Sequence, residues 1–269
     1  RVDGHCEIEQ DYVERCVELL SSGKAEGVGG PINTIGETAT AKAIALAMSS
    51  KFGVGGSAFR TVDDRELYTD TVAFPGYTRQ ILEKMGPFNE ELVRNQDDEF
   101  NYRIRKAGGR ILLSPKIRSK YYSRGTFGSL WKQYYQYGYW KVRVLQLHPG
   151  QMSFRQFMPF LFVSALVGLG LLSLLLPVVI WGLVGLIIVY IALNFMAAVA
   201  LGKSNILAIP LVVLSFLILH LSYGIGSMIG LVAFGNRWST LIPDDGHSIV
   251  ENPTRNDTPD CSQGFGTKL

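Results

Sequence analysis

The feature that most constrains the fold is a long apolar stretch in the C-terminal part of the chain. Between residues 157 and 235 the only formally charged side chain is Lys203. About 20 consecutive apolar residues are enough to cross the hydrocarbon core of a bilayer, so the stretch has room for about three crossings. We expect spans near Phe157–Leu176, Val178–Leu201 and Ile206–Phe234 within this membrane region, residues 157–235.

The connection between the first two spans leaves two arrangements open. Pro177 and its neighbours form either the turn of a tight hairpin across the membrane or the break in one interrupted, partly re-entrant pair. Neither span is a signal peptide, because both lie far from the N-terminus. A very apolar core helix of a soluble protein is the competing interpretation, and the combined length of the stretch disfavours it.

Charged side chains divide the remainder of the chain. Residues 1–115 carry 14 Lys and Arg against 18 Asp and Glu, a formal net charge of −4 that is ordinary for a soluble domain. Residues 116–155 carry eight basic side chains and no acidic one. We therefore expect a basic, aromatic juxtamembrane segment at residues 116–156, attracted to anionic lipid head groups.

A basic belt beside a membrane span marks the cytoplasmic side. Counted from that side, the Lys203 loop returns to the cytoplasm, and a polar tail at residues 236–269, expected to be disordered, lies outside. Nucleic acid is the alternative partner for a basic belt, but a belt that adjoins a membrane span needs no such partner. We expect membrane lipid as a partner and no nucleic acid.

Residues 1–115 alternate between helix-like and strand-like segments. The pattern predicts a helix after Asp11 with Val13, Cys16, Val17 and Leu20 on one face, then a strand at Glu26–Pro31, a helix at Thr38–Ser50, a strand at Thr71–Phe74, a helix at Thr78–Met85 and a strand at Arg110–Leu113. This alternation indicates an α/β domain with a largely parallel or mixed sheet.

A glycine-rich stretch, Phe52–Arg60, interrupts this alternation. It is not a phosphate loop of the usual kind, because no Gly-Lys-Ser/Thr follows. Its glycines either allow the backbone to approach a ligand or only make a flexible connection, and the sequence leaves these alternatives open.

Three consecutive carboxylates, Asp97, Asp98 and Glu99, begin a segment with helical spacing. Asp97, Phe100 and Ile104 fall on one face, and Gly108-Gly109 supplies the stop signal. A carboxylate in the first turn of this helix is our candidate for a catalytic base. The alternative is that the acids only complement the helix dipole.

Two further polar groups are candidates for a site. Asp3-Gly4-His5 places a carboxylate and an imidazole on the same side of an extended segment, as ligands of a divalent metal can be arranged, although two exposed polar side chains would give the same pattern. Trp131–Lys141 is rich in aromatic and amide side chains. It is either an interfacial aromatic belt or a platform for a sugar and a pyrophosphate.

Together these segments resemble the second half of a bacterial family 2 glycosyltransferase, in particular the membrane-associated enzymes of succinoglycan-type exopolysaccharide biosynthesis. The likeness covers roughly residues 1–235 and is most specific from Asn95 to Gly109. The stretches that carry it are Arg1–His5, Val28–Pro31, Phe52–Arg60, Thr69–Val72 and Asn95–Gly109.

The resemblance implies a partial GT-A-type fold, that of the nucleotide-diphospho-sugar transferases: an α/β mixed sheet at residues 1–115, followed by a C-terminal helical membrane region of about three spans. It implies a nucleotide-sugar donor, a polyprenyl-diphosphate-linked saccharide acceptor and an inverting transfer. The expected location is the bacterial inner (cytoplasmic) membrane, with a multi-pass chain and a cytoplasmic catalytic part.

The resemblance also assigns residues. Asp97 matches the catalytic base, with Asp98 as the runner-up. The Asp-x-Asp metal motif is similar to Asp3-Gly4-His5, so Asp3 and His5 would hold Mg²⁺ or Mn²⁺. The acceptor and diphosphate motif Gln-x-x-Arg-Trp is loosely matched by Gln133, Gln136 and Tyr137. This chain departs from the family at Gln96, where the family has Glu, and at Gln136-Tyr137, where it has Arg-Trp.

The first half of the family's domain, which binds the base and ribose of the donor, would precede Arg1. We therefore expect this chain to be inactive by itself. Two alternatives to an enzyme remain: a truncated, non-catalytic membrane anchor or interaction module, and a small transporter component. The second is disfavoured because Asn194 and His220 are too few polar residues to form a pathway across the spans.

Overall fold

A computed structural model describes residues 1–151 and 153–238, so most of the tail expected at residues 236–269 lies outside the described residues. The described strands are β1 Cys6–Ile8, β2 Gly27–Gly30, β3 Ile32–Ile35, β4 Leu67–Tyr68, β5 Ala73–Tyr77, β6 Ile111–Leu113 and β7 Ser119–Tyr122. The α-helices are α1 Tyr12–Ser21, α2 Ala39–Met48, α3 Lys51–Val54, α4 Ala58–Thr61, α5 Arg79–Met85, α6 Gln96–Lys106, α7 Phe127–Leu147, α8 Phe154–Leu175, α9 Ile180–Leu201 and α10 Ile209–Ala233.

The strands form two small mixed sheets. In the order β4-β6-β2-β5, strand β2 runs parallel to β6 and antiparallel to β5. In the order β1-β7-β3, strand β7 runs antiparallel to β1 and parallel to β3. The mixed α/β fold and the C-terminal helices predicted from the sequence are thus confirmed. Strand β7 lies inside the basic segment 116–156 and carries part of this segment into the sheet.

Local sequence explains several of these elements. Thr38 and Thr78 cap α2 and α5, since each side-chain oxygen accepts a backbone N–H of the first turn. The face predicted for α1 is confirmed for Cys16, which is buried, and for Leu20, which packs against the core. It is wrong for Val13 and Val17, which are exposed, while Tyr12 and Leu19 are buried. Tyr12 takes the inner side because its hydroxyl donates to the carbonyl of Phe74 at 2.7 Å.

Three helices are long and apolar enough to cross a membrane: Phe154–Leu175, Pro177–Leu201 and Ile206–Ala233. Their bounds agree with the predicted spans to within about three residues. A single 3₁₀ turn, Pro177–Val179, joins the first two, and each α-helix beside it contains 22 residues. Each helix alone is long enough to cross, as the hairpin alternative requires.

Helix α7 connects the sheets to the membrane helices. It begins with a capping box formed by Thr126 and Ser129, runs for 21 residues and packs along α10. The larger hydrophobic core accordingly continues from the sheets, through Ile44 and Met48 of α2, to Phe216 and Leu219 of α10. The α/β part and the membrane helices therefore share one core.

Candidate active site

A cavity of about 630 Å³ lies between the sheets and the membrane helices. Asp97 and Asp98 line it from the α/β side, and Phe162, Tyr190 and His220 line it from α8, α9 and α10. Of the residues predicted from the sequence, the cavity brings together Asp3, His5, Asp97, Asp98, Gln133 and Tyr137.

Gln136 lies elsewhere. Its side chain accepts a hydrogen bond from Arg94 Nε at 3.0 Å on the exposed surface, and it is absent from the described cavity lining. Gln133 and Tyr137 line the cavity from α7, one helical turn apart, whereas the side chain of Gln136 is turned to Arg94.

Asp97 occupies the first turn of α6. The turn is set by Asn95, which has a left-handed φ of 64° and whose side-chain amide donates to the carbonyl of Tyr137 at 3.1 Å. Below Asp97, Phe100 and Ile104 are fully buried, as their spacing predicted. Helix α6 thus presents Asp97 to the cavity from a fixed position.

The pKa of Asp97 lies above its ordinary value. Burial is the main cause and the neighbouring charge of Asp98 adds to it, while Arg1 and two backbone N–H groups of the helix start oppose the shift. A carboxylate with a raised pKa is a stronger base, which is the property that proton abstraction from a hydroxyl requires.

Asp98 has a different environment. Its carboxylate forms an ion pair with Lys141 of α7, a side chain that is only 5% exposed. The side chain of Gln151 also donates to the backbone carbonyl of Asp98, at 3.0 Å. Asp98 therefore fastens α6 to α7, and of the two adjacent carboxylates Asp97 is the one without a paired Lys or Arg among the described ion pairs.

Asp3 and His5 lie on the turn that precedes β1, where Cys6 N–H donates to the carbonyl of Asp3 at 3.1 Å. Burial and the charge of Arg124 lower the pKa of His5, although Asp3 opposes them. The neutral imidazole that results is the form that binds a metal. Arg1 lies 3.6 Å from the Asp3 carboxylate and competes for it.

The described residues contain no group of three or more His, Cys, Asp or Glu side chains that could hold a metal ion. Asp3 and His5 could supply two donors, and a divalent cation would take its other ligands from a diphosphate and water. Such sharing is common for Mg²⁺, which usually keeps several waters. The pair fits a substrate-completed site and does not form a complete metal cage.

Gln133 is the centre of a buried hydrogen-bond network. Its amide donates to the hydroxyls of Tyr121, at 3.0 Å, and Tyr137, at 2.9 Å. Its carbonyl oxygen accepts from Arg124 Nε at 3.2 Å. Because these bonds use the polar atoms of the side chain, Gln133 holds Tyr137 and Arg124 in place along the cavity wall.

Arg60 and Arg124 are cavity residues that the sequence did not identify. The guanidinium of Arg60 lies 5.3 Å from the ring centres of Phe59 and Tyr121, and its buried Nη1 has no hydrogen-bond partner among the described residues. A buried N–H group without a partner is costly and suits an anionic ligand oxygen. Arg60 ends the glycine-rich stretch, which is the only local signal for it.

The membrane side of the site was also missed. Tyr190 and His220 enter the cavity from helices whose sequence indicates only membrane crossing. Asn194 of α9 makes an interhelical hydrogen bond, since its amide donates to the carbonyl of Val213 on α10 at 3.2 Å.

Two curated relatives resemble this chain. The succinoglycan biosynthesis protein ExoA of Rhizobium meliloti is 30% identical over 239 residues, which cover 88% of this chain and 70% of the relative. The dolichyl N-acetyl-alpha-D-glucosaminyl phosphate 3-beta-D-2,3-diacetamido-2,3-dideoxy-beta-D-glucuronosyltransferase of Methanococcus voltae is 31% identical over 193 residues, which cover 70% of this chain and 56% of the relative. No protein-family model matches the chain.

Proposed function

Because the chain belongs to the family 2 glycosyltransferases related to exopolysaccharide synthesis, we propose that it takes part in an inverting sugar transfer at a membrane surface, with Asp97 as the base. The donor is a nucleotide sugar and the acceptor is a saccharide linked to a polyprenyl diphosphate. The name of the archaeal relative, which contains a dolichyl phosphate sugar, supports a lipid-linked acceptor of this kind.

The observation that carries the proposal is the composition of the cavity. One wall presents the carboxylate of Asp97, and the other is built from side chains of α8, α9 and α10, which are long and apolar enough to cross a membrane. A saccharide whose lipid lies in the bilayer could therefore place its hydroxyl beside Asp97 without leaving the membrane surface.

The chemistry requires two charge movements. The acceptor hydroxyl attacks the anomeric carbon opposite the leaving nucleoside diphosphate, and Asp97 takes the hydroxyl proton as the new bond forms. Negative charge meanwhile grows on the departing diphosphate. Arg60 and Arg124 lie in the same cavity and supply N–H donors for those oxygens.

Asp3 and His5 are proposed to hold Mg²⁺ or Mn²⁺ on the same side. A divalent cation would supply further neutralisation of the diphosphate when bound. The mixed oxygen and nitrogen donor set slightly favours Mn²⁺.

The three apolar helices indicate association with a membrane. The bacterial inner membrane and a cytoplasmic catalytic part are our proposal, based on the basic segment. Several of the eight basic side chains are used in ion pairs within the protein. Lys141 pairs with Asp98, Arg143 with Glu91 and Arg155 with Asp70, so only part of the charge is available to lipid.

The experiment compares Asp97→Asn with wild type in a transfer assay on a lipid-linked acceptor, using the full-length protein in membranes. We expect turnover to fall by about 10²–10⁴ with donor affinity little changed, because the substitution keeps the volume and removes the basic oxygen. As the pH is lowered, Asp97 should become protonated at a higher pH than an ordinary carboxylate, because its pKa is raised. Wild-type transfer should therefore begin to fall at a pH above the ordinary range of carboxyl pKa values.

The matched variant for Asp98 is the double substitution Asp98→Asn/Lys141→Met. It removes the runner-up carboxylate without leaving Lys141 as an unpaired buried charge. We expect it to retain transfer. The opposite ranking would make Asp98 the base, and full transfer by both variants would rule out both aspartates as the base.

A further inference from the structure

The glycine-rich segment, defined here as residues 52–57, forms part of the wall of the cavity between the sheets and the membrane helices. It includes most of the short helix α3 and a turn in which Gly55 and Gly56 have left-handed φ values of 63° and 73°. Such a turn has little packing of its own, so its position depends on what holds its two ends.

The first end is held by α10. The carbonyl oxygen of Phe52 lies 2.9 Å from His220 Nε2. Since a carbonyl only accepts, Nε2 carries the hydrogen, and Nδ1 can accept from the hydroxyl of Tyr190 at 3.0 Å. Both ring nitrogens of this histidine are therefore occupied: Nε2 holds the segment, and Nδ1 joins the ring to Tyr190 of α9.

Aromatic contacts bring all three membrane helices to the same point. The Phe52 ring meets Phe216 of α10 edge-on, with ring centres 4.9 Å apart. Tyr190 of α9 stacks on Phe162 of α8 at 4.3 Å. A shift of any of these helices would therefore change the packing around Phe52.

Gly53 shows why a glycine is needed beside this contact. A Cβ atom at this position would overlap the carbonyl oxygen of Ala47 and lie 3.0 Å from the Phe216 ring. Gly53 thus allows the segment to pack closely on the backbone of α2 and against the Phe216 ring of α10.

The second end is held by α8. Arg155, in the first turn of that helix, donates from Nη1 to the carbonyl of Gly56 at 2.7 Å. Its Nη2 donates to the carboxylate of Asp70 at 2.6 Å. The guanidinium therefore joins the segment and the loop before β5 to the start of a membrane helix.

We propose that His220 and Arg155 are positioning residues, which hold the two ends of the glycine-rich segment against α10 and α8 and so set the width of the cavity in which the acceptor lies. Polar side chains at membrane depth are expected to have a functional partner, and here the partner is a stretch of backbone. The arrangement of the membrane helices then determines the shape of the site. That the acceptor lies in this cavity rests on the proposed function.

The first test is amide hydrogen exchange on the full-length protein in lipid nanodiscs. In the wild type, the amides of Gly53, Val54 and Gly55 donate to Ser50 and Lys51, so a peptide covering residues 51–57 reports opening of the segment. His220→Phe keeps a ring of similar size and removes the donor, and Arg155→Leu removes the second anchor. Each should raise exchange of this peptide about tenfold, the worth of one such hydrogen bond.

Two variants make the comparison specific. His220→Gln retains an N–H that can reach the Phe52 carbonyl and should restore most of the protection. Ser222→Ala is the matched control, because its hydroxyl donates only to Ile218 of its own helix at 2.6 Å and should leave exchange unchanged. Unchanged exchange in both His220→Phe and Arg155→Leu would overturn the proposal.

The second test is kinetic. His220→Phe should raise KM for the lipid-linked acceptor about tenfold, with a smaller change in kcat and in donor affinity, and His220→Gln should recover it. Faster exchange with unaltered transfer kinetics would overturn the positioning role. A wild-type protein that transfers no sugar would contradict the proposed function, while the exchange measurement would still decide whether the two anchors exist.

Discussion

Helices α9 and α10 are similar in length and apolar character, yet they have different roles in the molecule. The only buried residues of α9 are Asn194 and Ala198 among its described positions, and its large side chains are mostly exposed. Helix α10 buries nine residues, which include Phe216 and Leu219. The outer surface of α9 suits contact with lipid, whereas α10 packs along α7 and serves as the scaffold on which the cavity is built.

The surroundings of their glycines distinguish the two helices. Gly226 and Gly230 of α10 are four residues apart, and a Cβ on Gly226 would overlap the carbonyl oxygen of Tyr135 on α7. From the other side, Gly138 of α7 lies against the backbone of Tyr223. By contrast, a Cβ on Gly185 of α9 would meet nothing within 4 Å. Gly226 and Gly230 therefore mark the face on which α10 meets α7 at close range.

The largest expected effect breaks the contact between α7 and α10. Gly226→Leu would drive a side chain into backbone, so the two helices must separate, and overpacking of this kind costs about 3 kcal/mol or more. We expect little folded protein after detergent extraction, measured by size-exclusion chromatography and thermal unfolding. Gly185→Leu on α9 is the matched control and should behave as wild type. Equal loss in both variants would contradict the distinction between the two helices.

The second prediction concerns the charge that α7 contributes to the site. Lys141→Met leaves Asp98 in the cavity wall without its partner and should lower the free energy of unfolding by about 3–5 kcal/mol. The double variant Lys141→Met/Asp98→Asn should recover most of this loss. The control is Lys203→Met, because Lys203 is exposed in the loop between α9 and α10. Thermal unfolding of the four proteins would test this, and no recovery in the double variant would contradict it.

Much of this architecture could be predicted from the sequence, because it is encoded locally. The acidic residues at its start and Gly108-Gly109 after its end predicted the bounds of α6. The apolar runs predicted the membrane helices. Strand β7 was missed inside a segment that its charge assigned to the membrane surface, although Ser119 and Tyr121 are buried in the sheet.

The site was less predictable because its members come from distant parts of the chain. Arg60, Arg124 and His220 lie in three distant parts of the chain with no local pattern in common, and the shared core of α2, α7 and α10 brings them to one cavity. The Gly226–Gly230 spacing was a readable signal for that core. Nothing in the neighbourhood of Asp98 indicates that its partner is a lysine 43 residues away.

The third prediction is that the stability of the protein depends on pH through Glu99 of α6, which contacts His148 at the end of α7. Burial alone would raise the pKa of Glu99, but hydrogen bonds from His148 and Arg103, at 2.9 and 2.8 Å, outweigh it and hold the pKa below 4.5. A carboxyl with a lowered folded-state pKa stabilises the protein above its unfolded pKa and loses this contribution as the pH falls through the folded value.

We therefore expect wild type to lose about 1–2 kcal/mol of stability from this group as the pH is lowered below about 4.5. Glu99→Gln should show a flatter profile over the same window when thermal unfolding is followed. Helices α8 and α9 contain no Asp or Glu, so they cannot supply this dependence. Parallel profiles for the two proteins would remove Glu99 as its source.

The smallest expected effect lies on α9. Asn194 joins this helix to α10 through one hydrogen bond, from its amide to the carbonyl of Val213 at 3.2 Å. Interhelical bonds of this kind contribute about 0.6 kcal/mol on average, because the separated helices also find partners. Asn194→Leu keeps a similar volume and replaces the amide with an apolar group, so the loss in thermal unfolding should be close to that value. If Asn194→Leu lowered the stability as much as Gly226→Leu, then α9 would be as much a part of the scaffold as α10. The small number of residues that α9 buries would then not measure its contribution to the fold.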